Sequence, residues 1–356
     1  MTERTLPAFD ELPSYNGLPS CAWEVWGAED RLGTVNLLTD SVVLRAAEEG
    51  IRTGKRVTLD LPLQFFPRPL HGRMPTDHHA FNKPSGRKDD ELHLNTQASS
   101  QWDGLLHFST RKREDADASV LYQGIPEASL PVGPLPRRVE DMHPGLLKLG
   151  IHNWAKHGIC GRGVLLDMVR FYEARDEGKL PYTPCNTSEA ISAVDLRACA
   201  QAQGVKFRTG DILLVRTGYL RAYKRASVEE REALCIQSAN YVGLEASDDV
   251  KRFLWDTHFA AIASDTPSVE VISASTLRHM IPHAEVPLQQ RPTPEVYRSL
   301  HETLLPLWGM PIGELFDLDA VSEVCAETSR WTFFFASWPL NVIGGVASTP
   351  NAAAIF

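Results

Sequence analysis

Buried apolar runs alternating with capped helical segments constrain this chain more than any other feature. Runs at 163–167, 211–218 and 259–265 are apolar at nearly every interior position, the pattern of strands covered on both faces rather than one. Two further strands are expected at 57–61 and 331–340. Helix start and stop signals lie among them. Asp40 and Ser41 precede VVLRAAEE and Gly50 follows it, and Gly204 closes 192–202. Ser227 and Glu230 form a capping box, Ser247 opens a helix running to Trp255, and 295–305 has helical character. Buried strands separated by capped helices mean an α/β core. The 356 residues fit one large domain with long loops, because no repeat or low-complexity block divides them.

Composition narrows the partners. Thirty-six basic against 45 acidic side chains leave a formal net charge of −9, which argues against non-specific binding to nucleic acid or anionic lipid. The most apolar stretch, 331–346, contains Pro339 and Asn341; it is too short to span a bilayer and reads as a buried strand pair. The first thirteen residues carry Glu3, Asp10 and Glu11 and no apolar run, unlike a secretory signal. The six cysteines are scattered without a C-x-x-C pair, as expected of reduced thiols in a cytoplasmic protein. The expected partner is a small molecule, with no nucleic acid and no membrane.

Several chemistries lack their motif. There is no P-loop, no G-x-G-x-x-G behind a strand, no G-x-S-x-G elbow, and no second His after His301-Glu302. Segment 66–90 is rich in Pro, His, Arg and Asp without periodicity, and reads as a long functional loop. Its His71, Asp77, His78 and His79 suggest a metal cluster by composition alone; solvated loop histidines are the better reading. Asp265 ends a strand and faces either a crevice or a turn.

The segment that carries chemistry is 97–108, QASSQWDGLLHF. It resembles the H-x-G-T-H-x-D-x-P-x-H signature of the cyclase family, which includes kynurenine formamidases, isatin hydrolases and trans-dienelactone hydrolase. Asp103 and His107 match the signature's Asp and last His, while Gln97 and Gln101 stand in place of its first two His. Other segments resemble the family in the same order. They are WGAEDRLGTVN from Trp26, the runs from Gly161, Gly210 and Asp265, and finally His301 with Glu314.

The resemblance implies a swivelling β/β/α fold over 26–356 behind an N-terminal arm, 1–25, and a homodimer or larger assembly. It implies a hydrolase that opens an amide or lactone bond of a small cyclic or aromatic molecule by metal-activated water. Carried over residue by residue, Gln97, Gln101 and Asp103 fall at metal positions, and His107, His301 and Glu314 at proton-transfer positions. Trp102 and Gln101 are expected at the substrate. The divalent ion is expected to be Mn2+ or Zn2+, but two amides in place of imidazoles weaken a zinc shell, and a site without metal is the alternative. In that case Asp103 and His107 would serve a metal-independent lyase or cyclase, or the chain would be a binding protein. The arm carries Phe9, Leu12, Leu18 and Trp23 among prolines, too apolar for free solvent; it must cover its own domain or a partner's.

Overall fold

The computed structural model describes residues 5–15, 17–111, 119–236, 240–272 and 298–356. Fifteen strands occur among them: β1 (Arg56–Thr58), β2 (Asp77–Lys83), β3 (Arg87–His93), β4 (Gln101–Asp103), β5 (Thr110–Arg111), β6 (Ser119–Val120), β7 (Ile159–Asp167) and β8 (Ala190–Ile191). They continue with β9 (Ile212–Arg216), β10 (Gly243–Leu244), β11 (Ala261–Ser264), β12 (Ile312–Glu314), β13 (Thr332–Ser337), β14 (Ala347–Ser348) and β15 (Ala352–Ile355). Nine form one sheet in the order β1-β15-β13-β7-β9-β11-β12-β4-β14.

The expected α/β architecture is the one adopted. Its centre, β7-β9-β11-β12, is parallel, and every junction outside it is antiparallel. All five residues of β9 and all four of β11 are buried, which is why these segments read as unbroken apolar runs. Helices pack on this layer with side-chain caps. Ser192 accepts from Asp195 N–H ahead of Ala193–Ala202, and Ser247 from Val250 N–H ahead of Asp248–Asp256. The Ser227–Glu230 box closes in both directions. Helix α1 (Asp40–Gly50) is capped by Thr39, one residue before the expected start.

Three expectations need correction. Residues 66–90 are not a structureless loop, since β2 and β3 pair in register from Asp77↔His93 to Lys83↔Arg87. Neither strand buries a side chain, so the hairpin left no alternation to read. Residues 331–346 are not a strand pair either, because β13 ends at Ser337 and its neighbours are β7 and β15. The helix expected at 295–305 is short, Leu300–Thr303 followed by a π turn over Leu304–Trp308; residues 295–297 lie outside the described residues.

The arm lies against its own domain. Phe9, Leu12 and Leu18 are buried, Trp255 Nε1 donates to Pro7 O, and Trp308 Nε1 donates to Ser20 O. The WGAEDRLGTVN segment is a clip in this fold. Asp30 accepts from Gly33 N–H, Asn36 Nδ2 and the Tyr122 hydroxyl. Gly33 sits at φ +62° with the carbonyl oxygen of Gly309 1.9 Å from where a Cβ would lie, so no other residue fits there. No helix among the described residues is long and apolar enough to cross a membrane.

Candidate active site

The site is built on one strand edge. β4 pairs antiparallel with β12, setting Gln101 opposite Glu314 and Asp103 opposite Ile312. Side chains alternate along a strand, so Gln101 and Asp103 share a face with Glu314 while Trp102 points to the other side. There Trp102 is fully buried against Phe316, at 5.0 Å between ring centroids, and donates from Nε1 to Ser337 Oγ at 2.9 Å. Trp102 is therefore a core residue, and its expected place at the substrate is corrected by strand periodicity. Gly313, its partner in register, leaves room for it: a Cβ there would lie 2.9 Å from the indole.

The opposite face gathers the polar groups. Gln97 Nε2 donates to Asp103 Oδ1 at 2.7 Å, and Gln101 Nε2 donates to Glu314 Oε2 at 2.6 Å and to Asp103 Oδ1 at 3.3 Å. Gln101 Oε1 accepts from Arg73 Nη1 at 3.2 Å, and the same nitrogen donates to Gln97 O at 3.0 Å. Turning the Gln101 amide over would set oxygen against Glu314 and nitrogen against Arg73, so its orientation is fixed by both neighbours. Both glutamines thus offer N–H groups, not oxygens, to the acid. The expected metal positions Gln97 and Gln101 are corrected on that ground: an amide nitrogen with two hydrogens is no metal ligand.

His301 comes from the Leu300–Thr303 turn, fixed by the Ser299–Glu302 capping box. Its Nδ1 lies 2.8 Å from Glu270 Oε2, and its Nε2 lies 3.1 Å from Glu314 Oε1 and 3.6 Å from Asp103 Oδ2. His107 Nε2 lies 3.7 Å from the same Asp103 oxygen. Asp103 Oδ2 itself is buried without a hydrogen-bond partner. Burial works against a charged His301, but the surrounding carboxylates of Glu270, Asp103 and Glu314 outweigh it and hold its pKa well above the ordinary value. Burial, with the charge of Asp103 added, pushes Glu314 up to about 7. His107 is held down by burial despite Asp103. Asp103, though buried, is kept low by His107, His301 and Arg73.

Asp103, His107 and His301 each offer one ligand atom, all within 4.8 Å of one another. Donors about 2.0–2.2 Å from a shared ion stand roughly 3.3–3.6 Å apart in tetrahedral geometry, close to the 3.6 and 3.7 Å found around the orphaned oxygen. With the Nε2 proton of His301 given up, the residues fit a divalent ion, seated one step beyond the positions the signature suggested. Glu270 behind His301 is then the carboxylate that orients a ligating imidazole.

All of Gln97, Gln101, Asp103, His107, His301 and Glu314 are brought together. Glu270 and Arg73 were not anticipated. Glu270 had a signal, a lone carboxylate inside Val269-Glu270-Val271-Ile272, where an unpaired charge is not tolerated. Arg73 had none. His71 reaches the rim, its Nε2 3.5 Å from the Tyr241 hydroxyl, whereas His78 and His79 pair with Asp90 and Asp77 on the exposed hairpin. Asp265 accepts from Thr217 N–H, Thr217 Oγ1 and Gly218 N–H, a structural tie behind the sheet.

Comparison with known proteins agrees with the resemblance. A family model described as putative cyclase matches residues 34–271. A solved structure described as a novel cyclase is similar with a TM-score of 0.72 at 27% identity, over 94% of this chain and 99% of that one. Isatin hydrolase A from Labrenzia aggregata, bound to benzyl benzoate, reaches a TM-score of 0.48 at 10% identity, over 84% of this chain and 93% of that one. A protein described as a predicted metal-dependent hydrolase, from Bacillus stearothermophilus, reaches 0.43 at 13%, over 84% and 97%. No curated protein matches the sequence.

Proposed function

The chain belongs to the cyclase family, and on that footing we propose that it is a metal-dependent hydrolase opening an amide or lactone bond of a small cyclic molecule. The observation that carries the reading is the unpartnered Asp103 Oδ2 facing the Nε2 atoms of His107 and His301. Asp103, His107 and His301 would hold the ion. When bound, a divalent ion supplies a water acidic enough to attack near neutral pH and polarises the carbonyl; this donor set, two imidazoles and a carboxylate, suits Zn2+ or Mn2+.

The chain's own groups complete the chemistry. Glu314, buried beside His301 and held by Gln101, is placed to take a proton from an attacking water and return it to a leaving nitrogen or oxygen. Gln101 ties Glu314 and Asp103 together and fixes both carboxylates. Arg73 holds Gln101 from behind and brings positive charge toward the carboxylates of Asp103 and Glu314. Phe108 lies 5.3 Å from the His301 ring, centroid to centroid, and helps keep water from the buried side.

Elemental analysis and calorimetric titration test this reading. One divalent ion per chain, lost with EDTA together with hydrolysis of lactone or cyclic amide probes, is the expected result. Asp103→Asn should abolish tight binding, and Glu314→Gln should keep the ion while slowing turnover at least ~10²-fold. A metal-independent reading is favoured by one observation, the amide N–H groups of Gln97 and Gln101 that already neutralise part of Asp103. Full activity in metal-free protein would select it.

A further inference from the structure

A second cluster of charged groups lies four strands away from β4 in the same sheet, where the end of α1 meets β7 and β13. Two adjoining cavities there share Arg162 and Arg208. The larger is a cleft of about 310 Å3, half open to solvent, lined by Arg52, Arg162, Arg208, Arg330, Glu49 and Thr332, among others. Arg45 and Asp211 line the smaller. Five guanidinium groups therefore face two carboxylates in a chain whose formal net charge is −9. Such a concentration repels itself unless an anion joins it.

Three of these side chains are held in place. Arg162 donates from Nε and Nη2 to Asp211 at 2.8 and 2.6 Å, Arg208 pairs with Glu49, and Arg330 Nη2 donates to Gly50 O at 3.0 Å. Gly50 lets the helix end approach this closely, since a Cβ there would lie 2.5 Å from Phe334 N. Arg45 and Arg52 form no ion pair among the described residues. The field of the cluster acts on its one exposed acid. The Arg208 guanidinium, with Arg45 and Arg162 beyond it, holds the Glu49 carboxyl below its ordinary value.

We propose that this arginine-lined cavity is a binding site for a small molecule bearing a phosphomonoester or diphosphate group, separate from the site at Asp103. Guanidinium forks pair bidentately with phosphate oxygens, and Arg45 and Arg52 leave theirs open beside Arg162 and Arg208, which are already tied to Asp211 and Glu49. The volume suits a small ligand, and the negative charge of the rest of the molecule disfavours an extended polyanion. In the sheet, β9, β11 and β12 separate β7 from β4, about 19 Å at the usual strand spacing. One small ligand cannot touch both places.

Calorimetric titration of the full chain with inorganic pyrophosphate, orthophosphate and acetate tests the proposal. Pyrophosphate should bind one per chain below about 1 mM, tighter than acetate, and weaken as salt is raised. The exposed pair Arg45→Gln/Arg52→Gln should lose at least about tenfold in affinity with an unchanged unfolding midpoint, whereas Arg137→Gln should lose nothing. Asp103→Asn should bind pyrophosphate as the wild type does. Pyrophosphate no tighter than acetate, unchanged affinity in the double variant, or loss of binding in Asp103→Asn would each overturn it.

Discussion

With Oδ1 of Asp103 taken by two amides and Oδ2 facing two imidazoles, the neighbouring Trp102 provides the sharpest contrast on the same strand. Its indole is enclosed by Phe316 and Phe335, so Trp102→Ala should cost ~3–5 kcal/mol of stability while metal affinity of the folded protein stays within about twofold. Denaturant unfolding paired with calorimetry checks this; a weakened KM with unchanged stability would return Trp102 to the substrate. Asp60 makes a different case. Its Oδ2 accepts from Ala352 N–H at 2.7 Å, its Oδ1 is buried without a partner, and burial pushes its pKa up to about 6 from an ordinary 3.8. The folded chain then holds the proton more tightly than the unfolded one. This contribution to stability is fully present below about pH 4 and is lost as pH rises through about 6. Asp60→Asn keeps an oxygen for Ala352, so it should flatten that slope and stabilise the protein at pH 7.5 by on the order of 1 kcal/mol, read from urea midpoints across pH 4–8.

The β2–β3 hairpin and β4 show how differently two elements can be written in a sequence. β4 is only three residues, yet its alternation of Gln101, Trp102 and Asp103 sorts chemistry from core because both faces are buried. The hairpin has seven residues on each side and buries none of them, so neither its pairing nor its turn leaves an apolar imprint. Its stability comes from the ladder and from Pro84–Gly86, where Ser85 and Gly86 take φ of +67° and +72°. Replacing 77–93 by a short Gly-Ser turn should therefore shift the unfolding midpoint by no more than about 2 °C, as surface changes away from packed features do. A larger fall in differential scanning calorimetry would mean that the hairpin is covered in solution.

At the scale of the molecule, the arm ties its ends into the domain through Trp255 and Trp308, which donate to Pro7 O and Ser20 O, and through Trp23, whose Nε1 donates to Pro306 O at 2.6 Å. Pro306 and Trp308 follow His301 on the same stretch of chain, so the arm braces the turn that carries a candidate ligand. Deleting residues 1–20 should lower stability by several kcal/mol and weaken metal binding, seen by thermal unfolding and calorimetry on the full-length and shortened chains. Unchanged stability together with a loss of assembly in sedimentation would assign the arm to a partner instead. The sequence alone determined the α/β alternation, the central strands and most helix starts, because burial on two faces and capping are local patterns that composition and spacing record. Through the family resemblance it also pointed to five side chains that gather around Asp103, though not to Arg73 or Glu270. Only the tertiary structure decided which of them could hold an ion. The amide orientation of Gln101 depends on Arg73 and Glu314, 28 residues before and 213 residues after it. The seat at Asp103 Oδ2 depends on His301 arriving from a different part of the chain. Hydrogen-bond direction and ligand geometry are properties of space, set by partners that no local pattern brings together.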